Sequence, residues 1–550
     1  MASILLLPIS AIVIVFYSQL FKFIFLKKEK LIINYGNFDF IYGIFFLTFI
    51  SYFINIFFPL KYFSLIIFTI GIVGFFYLIY SKKLILSTNY ILFLFFIVFF
   101  LIITHENDLM YDSKLYHFQI IKYNFEHKII FGLSNLDPRL GFISSWHQFL
   151  SLFGFNNHLV SNLNIVLISF IFNIIFSKNF FIVKTSRLFL FFSILFLIVY
   201  SLIHPKLNGT IFMALGSPES DTIGMMFLIL SVYLFLENNK NYYLLIISII
   251  LCATSKLSYI GVGFILLYLL ITKTYLFKNY IIIFFIFLWG LIFLFKSYVL
   301  TGCLLFPVLQ TCLDTFWTMK IENIEIVKNM LQNWSKDQPF RQLYMKPEMF
   351  TDFKWFYSWF SNYFLKTSFV QILLSIFFTS LIFIFIKKKS FPKLLKSKKI
   401  YLTFLTLIFV LIIWFQAPAI RYGYGGILSI SMLLFSIAVI ETKFKLRKYL
   451  FNKNLLMLCL FLIVIKNYSG FNFVKNDRLV ALKSTNLSNF KPVNYIVDKN
   501  FNKIENIYSN KSRDGFCFNL KQICSTAYNM IGIKPVPIRY INTYIFYSRK

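Results

Sequence analysis

Apolar runs long enough to cross a bilayer recur along this chain from its first residues to about residue 466. In hydrocarbon every backbone N–H and C=O must find its partner within the protein, which leaves helices or closed barrels. The runs are continuous and do not alternate between apolar and polar, which selects helices. The charge content agrees: 14% of residues are charged, against roughly 25% in soluble domains. The expected fold is therefore an all-α polytopic integral membrane protein with about 14 transmembrane helices. The expected spans are 4–21, 39–60, 63–80, 89–103, 156–177, 188–203, 222–236, 242–253, 259–272, 279–295, 367–386, 400–415, 424–441 and 455–466. The first segment, Ala2 to Leu26, has no basic leader and no small-residue cleavage site, and reads as a retained helix rather than a signal peptide.

The net charge of +33 would suit nucleic acid or anionic lipid. However, Lys greatly outnumbers Arg, and Phe, Ile, Leu, Asn, Lys and Tyr dominate, a bias that an AT-rich genome produces on its own. Selection for phosphate binding would favour Arg forks, so nucleic acid is not an expected partner. The charge is more useful as a guide to orientation, because Lys and Arg in short loops stay cytoplasmic. One set of alternate connectors carries 24 basic residues, and the other carries only Lys61, Lys206, Lys256 and Arg421. This split puts both termini on the non-cytoplasmic side.

The expected organisation is then 1–103, N-terminal helices; 104–150, a first outer loop; 151–296, central helices; 297–366, a second outer loop; 367–466, C-terminal helices; and 467–550, an outer tail. The turns Pro205–Asp221, Thr254–Ser258 and Gln416–Gly426 fall on the same outer side. The cytoplasmic side receives only basic connectors, so function is expected outside.

The densest polar stretch runs from His105 to His117. Glu106, Asp108 and Asp112 place three of the chain's 21 acidic residues within seven positions, and on a helix Asp108 and Asp112 share a face. Carboxylates at a membrane boundary are costly unless solvated or paired. They could serve as a general base or, with His117 nearby, hold a divalent cation. They would equally suit an ordinary solvated loop end. Arg139 sits among apolar residues and glycines, where it could meet a phosphate or one of these acids. Lys256 and Arg421 are the single cations of their turns; they could hold a lipid phosphate or snorkel to headgroups.

All six histidines lie between 105 and 204, with no His-x3-His or Cys-x2-Cys spacing, so no metal site is defined. Cys252 and Cys459 fall in apolar spans. Cys303 with Cys312, and Cys517 with Cys524, fall on the expected oxidising side, and each pair closes a short loop; both are expected disulfides. The chain has no Walker A loop, nucleophile elbow, Rossmann fingerprint or heptad run.

Taken together, the motifs resemble GT-C-type glycosyltransferases, and within them a group of bacterial polytopic membrane proteins. The resemblance rests on Tyr111-Asp112-Ser113-Lys114-Leu115-Tyr116-His117, on Gly132 to Leu140 with Asn135 and Arg139, and on Ile143-Ser144-Ser145-Trp146. The turns Ser217-Pro218…Asp221, Lys256-Leu257-Ser258 and Ala417-Pro418…Arg421, and the tail cysteines, are similar too. The late motif departs in having Ala419 where an acid is expected, which weakens any metal or proton role for that turn.

The resemblance implies transfer of a sugar from a polyprenyl-phosphate carrier to a glycan or lipid acceptor at the outer face of the bacterial inner membrane. Asp112 would be the base, with Glu106 and Asp108 behind it. Arg139, Lys256, Arg421 and His117 would hold the donor phosphate, with Asp221, Asn135 and Trp146 in support. No cofactor is certain; a divalent cation is the one the acids could take. Two other functions fit a multi-span chain with large outer loops: an oligosaccharide polymerase of the O-antigen kind, which would depend on several loop arginines, and a lipid-linked sugar flippase or other transporter, which would bury ionisable residues in mid-helix.

Overall fold

Segments that are apolar on every face cannot solvate their backbones in lipid, and in the computed structural model they form helices packed side by side. The structure describes residues 2–26, 40–81, 88–105, 109–135, 137–177, 180–203, 214–237, 242–273, 279–336, 353–386, 397–440 and 451–468, together with the strands 490–493, 507–510, 533–538 and 543–548. Among the described residues, eight helices are long and apolar enough to cross a membrane: Leu5–Leu26, Phe40–Phe57, Asn157–Ile175, Thr185–Ile203, Ser220–Glu237, Tyr280–Thr301, Ser368–Ile386 and Ile420–Ile440. Such a set is compatible with a multi-pass membrane protein. Shorter apolar helices stand at Ser64–Tyr80, Tyr90–Thr104, Tyr242–Ser255, Leu257–Thr272 and Lys453–Ile463. Two short antiparallel strand pairs, Phe490–Val493 with Ile507–Asn510 and Ile533–Ile538 with Thr543–Ser548, lie in the tail.

The helices divide into an inner and an outer layer. Asn164–Ile175 is buried along its whole length. Ser220–Glu237 is also largely buried and packs against Thr185–Ile203, Tyr242–Ser255 and Ile420–Ile440. By contrast, Ser64–Tyr80 turns Ile66, Ile70, Val73 and Phe76 outward, and Ser368–Ile386 does the same with Phe378, Ile382 and Phe385. An apolar face pointing away from the protein matches lipid rather than water.

The polar turns gather at one end of the helices. Met110 N–H donates to Ser217 Oγ at 2.8 Å, Ser144 Oγ to the Ser255 carbonyl at 2.9 Å and Ser258 Oγ to the Tyr422 carbonyl at 3.3 Å. At the far end of Ser220–Glu237, Glu237 takes Lys184 at 3.0 Å and Arg187 at 2.8 Å. Close approach between turns depends on small residues: a Cβ on Gly224 would stand 2.9 Å from both Lys256 Cβ and the Tyr259 ring.

The described residues of 104–150 form a packed layer of short helices, Phe118–Glu126 and Ser145–Ser151 among them, with Phe118, Trp146 and Phe149 fully buried. Within 297–366 the described residues include the end of the helix Tyr280–Thr301 and the helices Ile321–Lys336 and Lys354–Trp359.

Candidate active site

Four charges that the sequence leaves in separate turns form one alternating row. Asp112 opens a π-helical turn, Ser113–His117, that continues into Phe118–Glu126. π-Turns are rare and recur at functional sites. Asp221 is the second residue of Ser220–Glu237, where the helix N-terminus favours an acid. Lys256 caps the short helix Leu257–Val262. Arg421 is the second residue of Ile420–Ile440. A cation at that end opposes the helix dipole and needs carboxylates nearby.

They are present. Arg421 Nη2 donates to Asp112 Oδ2 at 2.7 Å, Arg421 Nε lies 3.9 Å from Asp221 Oδ2, and Lys256 Nζ forms a close ion pair with Asp221 Oδ1. The order is Asp112, Arg421, Asp221, Lys256. The row is mostly enclosed yet reachable: the side chains are 13%, 30%, 16% and 24% exposed in that order. Among the described residues the Arg421 Nε–H has no hydrogen-bond acceptor, because Asp221 is too far away.

Aromatic rings wall the row. The Arg421 guanidinium lies 4.9 Å from the Tyr422 ring and 5.2 Å from that of Trp334, and the Lys256 ammonium lies 4.1 Å from Tyr422. Such contacts hold a cation in place without neutralising it. Tyr116 follows Asp112 by one helical turn. Burial first, and the Asp112 carboxylate second, hold its phenol well above the usual range. Burial disfavours the charge on Lys256, but Asp221 outweighs it and raises its pKa.

The same π-turn also reaches a second, fully buried cluster. Ser113 Oγ donates to Glu219 Oε1 at 3.2 Å, and His117 Nδ1 lies 3.4 Å from that oxygen. The His117 ring stands 4.6 Å from that of His147, whose Nε2 lies 3.2 Å from the Pro218 carbonyl. Burial, and then His117, push the His147 imidazole well below its usual range, so it is neutral. His117 is thus a buried partner of Glu219, and it is close enough to Asp221 for the two charges to interact.

The remaining expected site residues fall as follows. Arg139 makes a two-point pair with Asp137, at 3.0 Å and 2.9 Å, and is close enough to Asp112 and Tyr116 for their charges to interact. Asn135 Nδ2 donates to the Trp317 carbonyl at 2.7 Å, which ties the turn Leu133–Asn135 to the residues that follow Tyr280–Thr301. Trp146 is a buried packing residue; its Nε1 donates to Asn164 Oδ1 at 2.6 Å. Cys303 and Cys312 are joined by a disulfide, and Cys252 and Cys459 are free and buried. Glu106, Asp108, Cys517 and Cys524 lie outside the described residues. Among the described residues, no group of three His, Cys, Asp or Glu side chains is placed to hold a metal ion.

Sequence reasoning did not single out Glu219, Tyr116, Tyr422 or Trp334. The first three sit within or beside the quoted motifs, so proximity to Asp112, Asp221 and Arg421 was the available signal. Trp334 had none.

The class this describes is a multi-helix, membrane-type protein with a partly enclosed row of ion pairs at one end of its helices. Residues 1–428 match the family described as a domain of unknown function (DUF8201), and the chain belongs to that family. No curated protein and no solved structure matches it.

Proposed function

We propose that this protein is a membrane glycosyltransferase that moves a sugar from a polyprenyl-phosphate carrier to a cell-envelope acceptor. The observation that carries this reading is the row Asp112–Arg421–Asp221–Lys256, which joins a candidate base to two candidate phosphate ligands. In the reaction the acceptor hydroxyl attacks the anomeric carbon. Its O–H proton passes to Asp112, the bond from that carbon to the phosphate oxygen breaks, and the polyprenyl phosphate leaves with one more negative charge. Arg421 and Lys256 would meet that charge, a reading supported by their position beside Asp112 and Asp221. Pairing with Arg421 holds the Asp112 carboxylate in place until the donor arrives. The phosphate then competes for the guanidinium, and the carboxylate is released to accept the proton. Arg139, held by Asp137 at the edge of the row, is a further positive group for the donor.

The proposal includes the topology. The shorter apolar helices and Lys398–Trp414 also cross, for about 14 spans in all, the row faces outward, and the membrane is the bacterial inner membrane. This is supported by the meeting of the turns 110–117, 217–221, 255–258 and 421–422 at one helix end, with Lys184, Arg187 and Glu237 at the other. A transporter would draw on an ionisable group deep in a helix, and Lys296 is one. Its amine, however, donates to three amide oxygens at once, which favours the transferase reading.

The deciding experiment is glycan transfer by Asp112→Asn in membranes that retain the folded protein. Loss of activity is expected, and full activity would overturn the mechanism.

A further inference from the structure

Lys296 lies on the apolar helix Tyr280–Thr301 and is 3% exposed. Its Nζ donates to Asn55 Oδ1 at 2.9 Å, to Asn124 Oδ1 at 2.7 Å and to Gln148 Oε1. These three residues come from three other helices: Phe40–Phe57, Phe118–Glu126 and Ser145–Ser151. No carboxylate is among its partners in this cluster. An ammonium has three N–H donors and no acceptor, so donors and oxygens match one to one.

The amides have no freedom to turn away. Asn55 Nδ2 is committed to the carbonyls of Asn124 at 2.9 Å and His127 at 3.0 Å. Asn124 Nδ2 donates to Ser151 Oγ at 3.2 Å, and Gln148 Nε2 donates to Ser51 Oγ at 2.8 Å. Each oxygen is therefore held facing one point, and the lysine amine fills that point. Three converging, pre-oriented amide oxygens form a small cation site. Beside it lies a cavity of about 20 Å³ whose lining includes Lys296, Asn124, Gln148 and Tyr52. That is room for one small polar molecule.

We propose that Asn55, Asn124 and Gln148 form a binding site for a small monovalent cation of the ammonium class, occupied in this protein by its own Lys296. The tethered cation locks the 118–151 layer onto the helices beneath it. Lys296 is thus a positioning residue for the segment that carries Arg139 and continues from Asp112. This inference stands on the hydrogen bonds alone and does not depend on glycosyl transfer.

The test is Lys296→Ala in the full-length chain, followed by thermal unfolding in detergent with ammonium, sodium or tetramethylammonium chloride at equal ionic strength. Without ammonium the midpoint should fall by about 3–5 °C, since three buried acceptors lose their donor. Ammonium should restore at least half of that fall, and tetramethylammonium, which has no N–H, should restore none. Equal midpoints in the ammonium and tetramethylammonium salts would overturn the proposal. If Lys296→Ala cannot be purified in any salt, Gln148→Leu decides. It removes one oxygen and keeps the lysine, so its midpoint should fall and should not respond to ammonium. An unchanged midpoint for Gln148→Leu would refute the site.

Discussion

The guanidinium of Arg421 donates to the carboxylate of Asp112 at 2.7 Å, joining the start of the helix Ile420–Ile440 to the π-turn Ser113–His117. Neither residue suits its surroundings alone. Arg421 stands at the positive end of a helix dipole, and Asp112 is largely withdrawn from water. Each is the partner that makes the other's placement tolerable, and both remain open enough for a third group to enter.

If Asp112 is the base, Asp112→Asn keeps the shape and removes the proton acceptor. Transfer should fall by about 10²–10⁴-fold, with KM for the donor changing far less. The measurement is sugar transfer from a polyprenyl-phosphate donor in membranes matched for protein level.

The pair Lys256 and Asp221 should be coupled. Removing either one leaves the other mostly enclosed beside a changed charge, whereas removing both does not. The double variant Lys256→Met with Asp221→Leu should be destabilised by less than the sum of the two single variants. A coupling of about 1–3 kcal/mol is expected in a double-mutant cycle of denaturation midpoints. Simple additivity would show that the pair is incidental.

His147 sets an acid limit. Its folded pKa lies well below the unfolded value, because burial and His117 disfavour the charged ring. Above about pH 6.5 neither state takes the proton, and stability does not change on this account. Below it the unfolded chain takes the proton first, so stability falls by about 1.4 kcal/mol per pH unit until the folded ring also protonates. Midpoints measured at pH 7.5 and 5.5 should diverge more in the wild type than in His147→Gln.

Cys303 and Cys312 close a short loop next to the helix Tyr280–Thr301. Replacing both by Ser should cost on the order of 2–3 kcal/mol of local stability through loop entropy. Limited proteolysis between residues 302 and 319 should become faster in the variant, and in wild type treated with reductant.

Orientation can be read with single cysteines. Tyr111 is 61% exposed beside the row, and Lys184 is half exposed at the opposite helix end. On intact cells, an impermeant maleimide should label Tyr111→Cys, and should label Lys184→Cys only after permeabilisation. The reverse pattern would turn the proposed topology over.

The helices were legible because what makes them is local. A continuous apolar run in lipid has one way to satisfy its backbone, and each expected span falls on a helix or a pair of short ones. Asp112, Asp221, Lys256 and Arg421 were legible as lone charges interrupting such runs. What the chain did not reveal was who meets whom. Read linearly, Arg139 could have met a phosphate or any nearby acid, but its two-point partner is Asp137, two residues away. His117, grouped with the phosphate ligands, has buried Glu219 as its near partner, 106 positions from Ser113 on the same turn and invisible to any local pattern. Lys296 stood one residue beyond an expected span; the helix runs on to Thr301 and buries it among three amides. Periodicity and hydropathy act over one or two turns of chain, so sequence alone decides where the helices are and which charges interrupt them. Ion pairs and hydrogen bonds act over about 3 Å, and only helix packing sets distances that short between distant residues. The row at Asp112 and the lysine cage at Lys296 therefore belong to the tertiary structure.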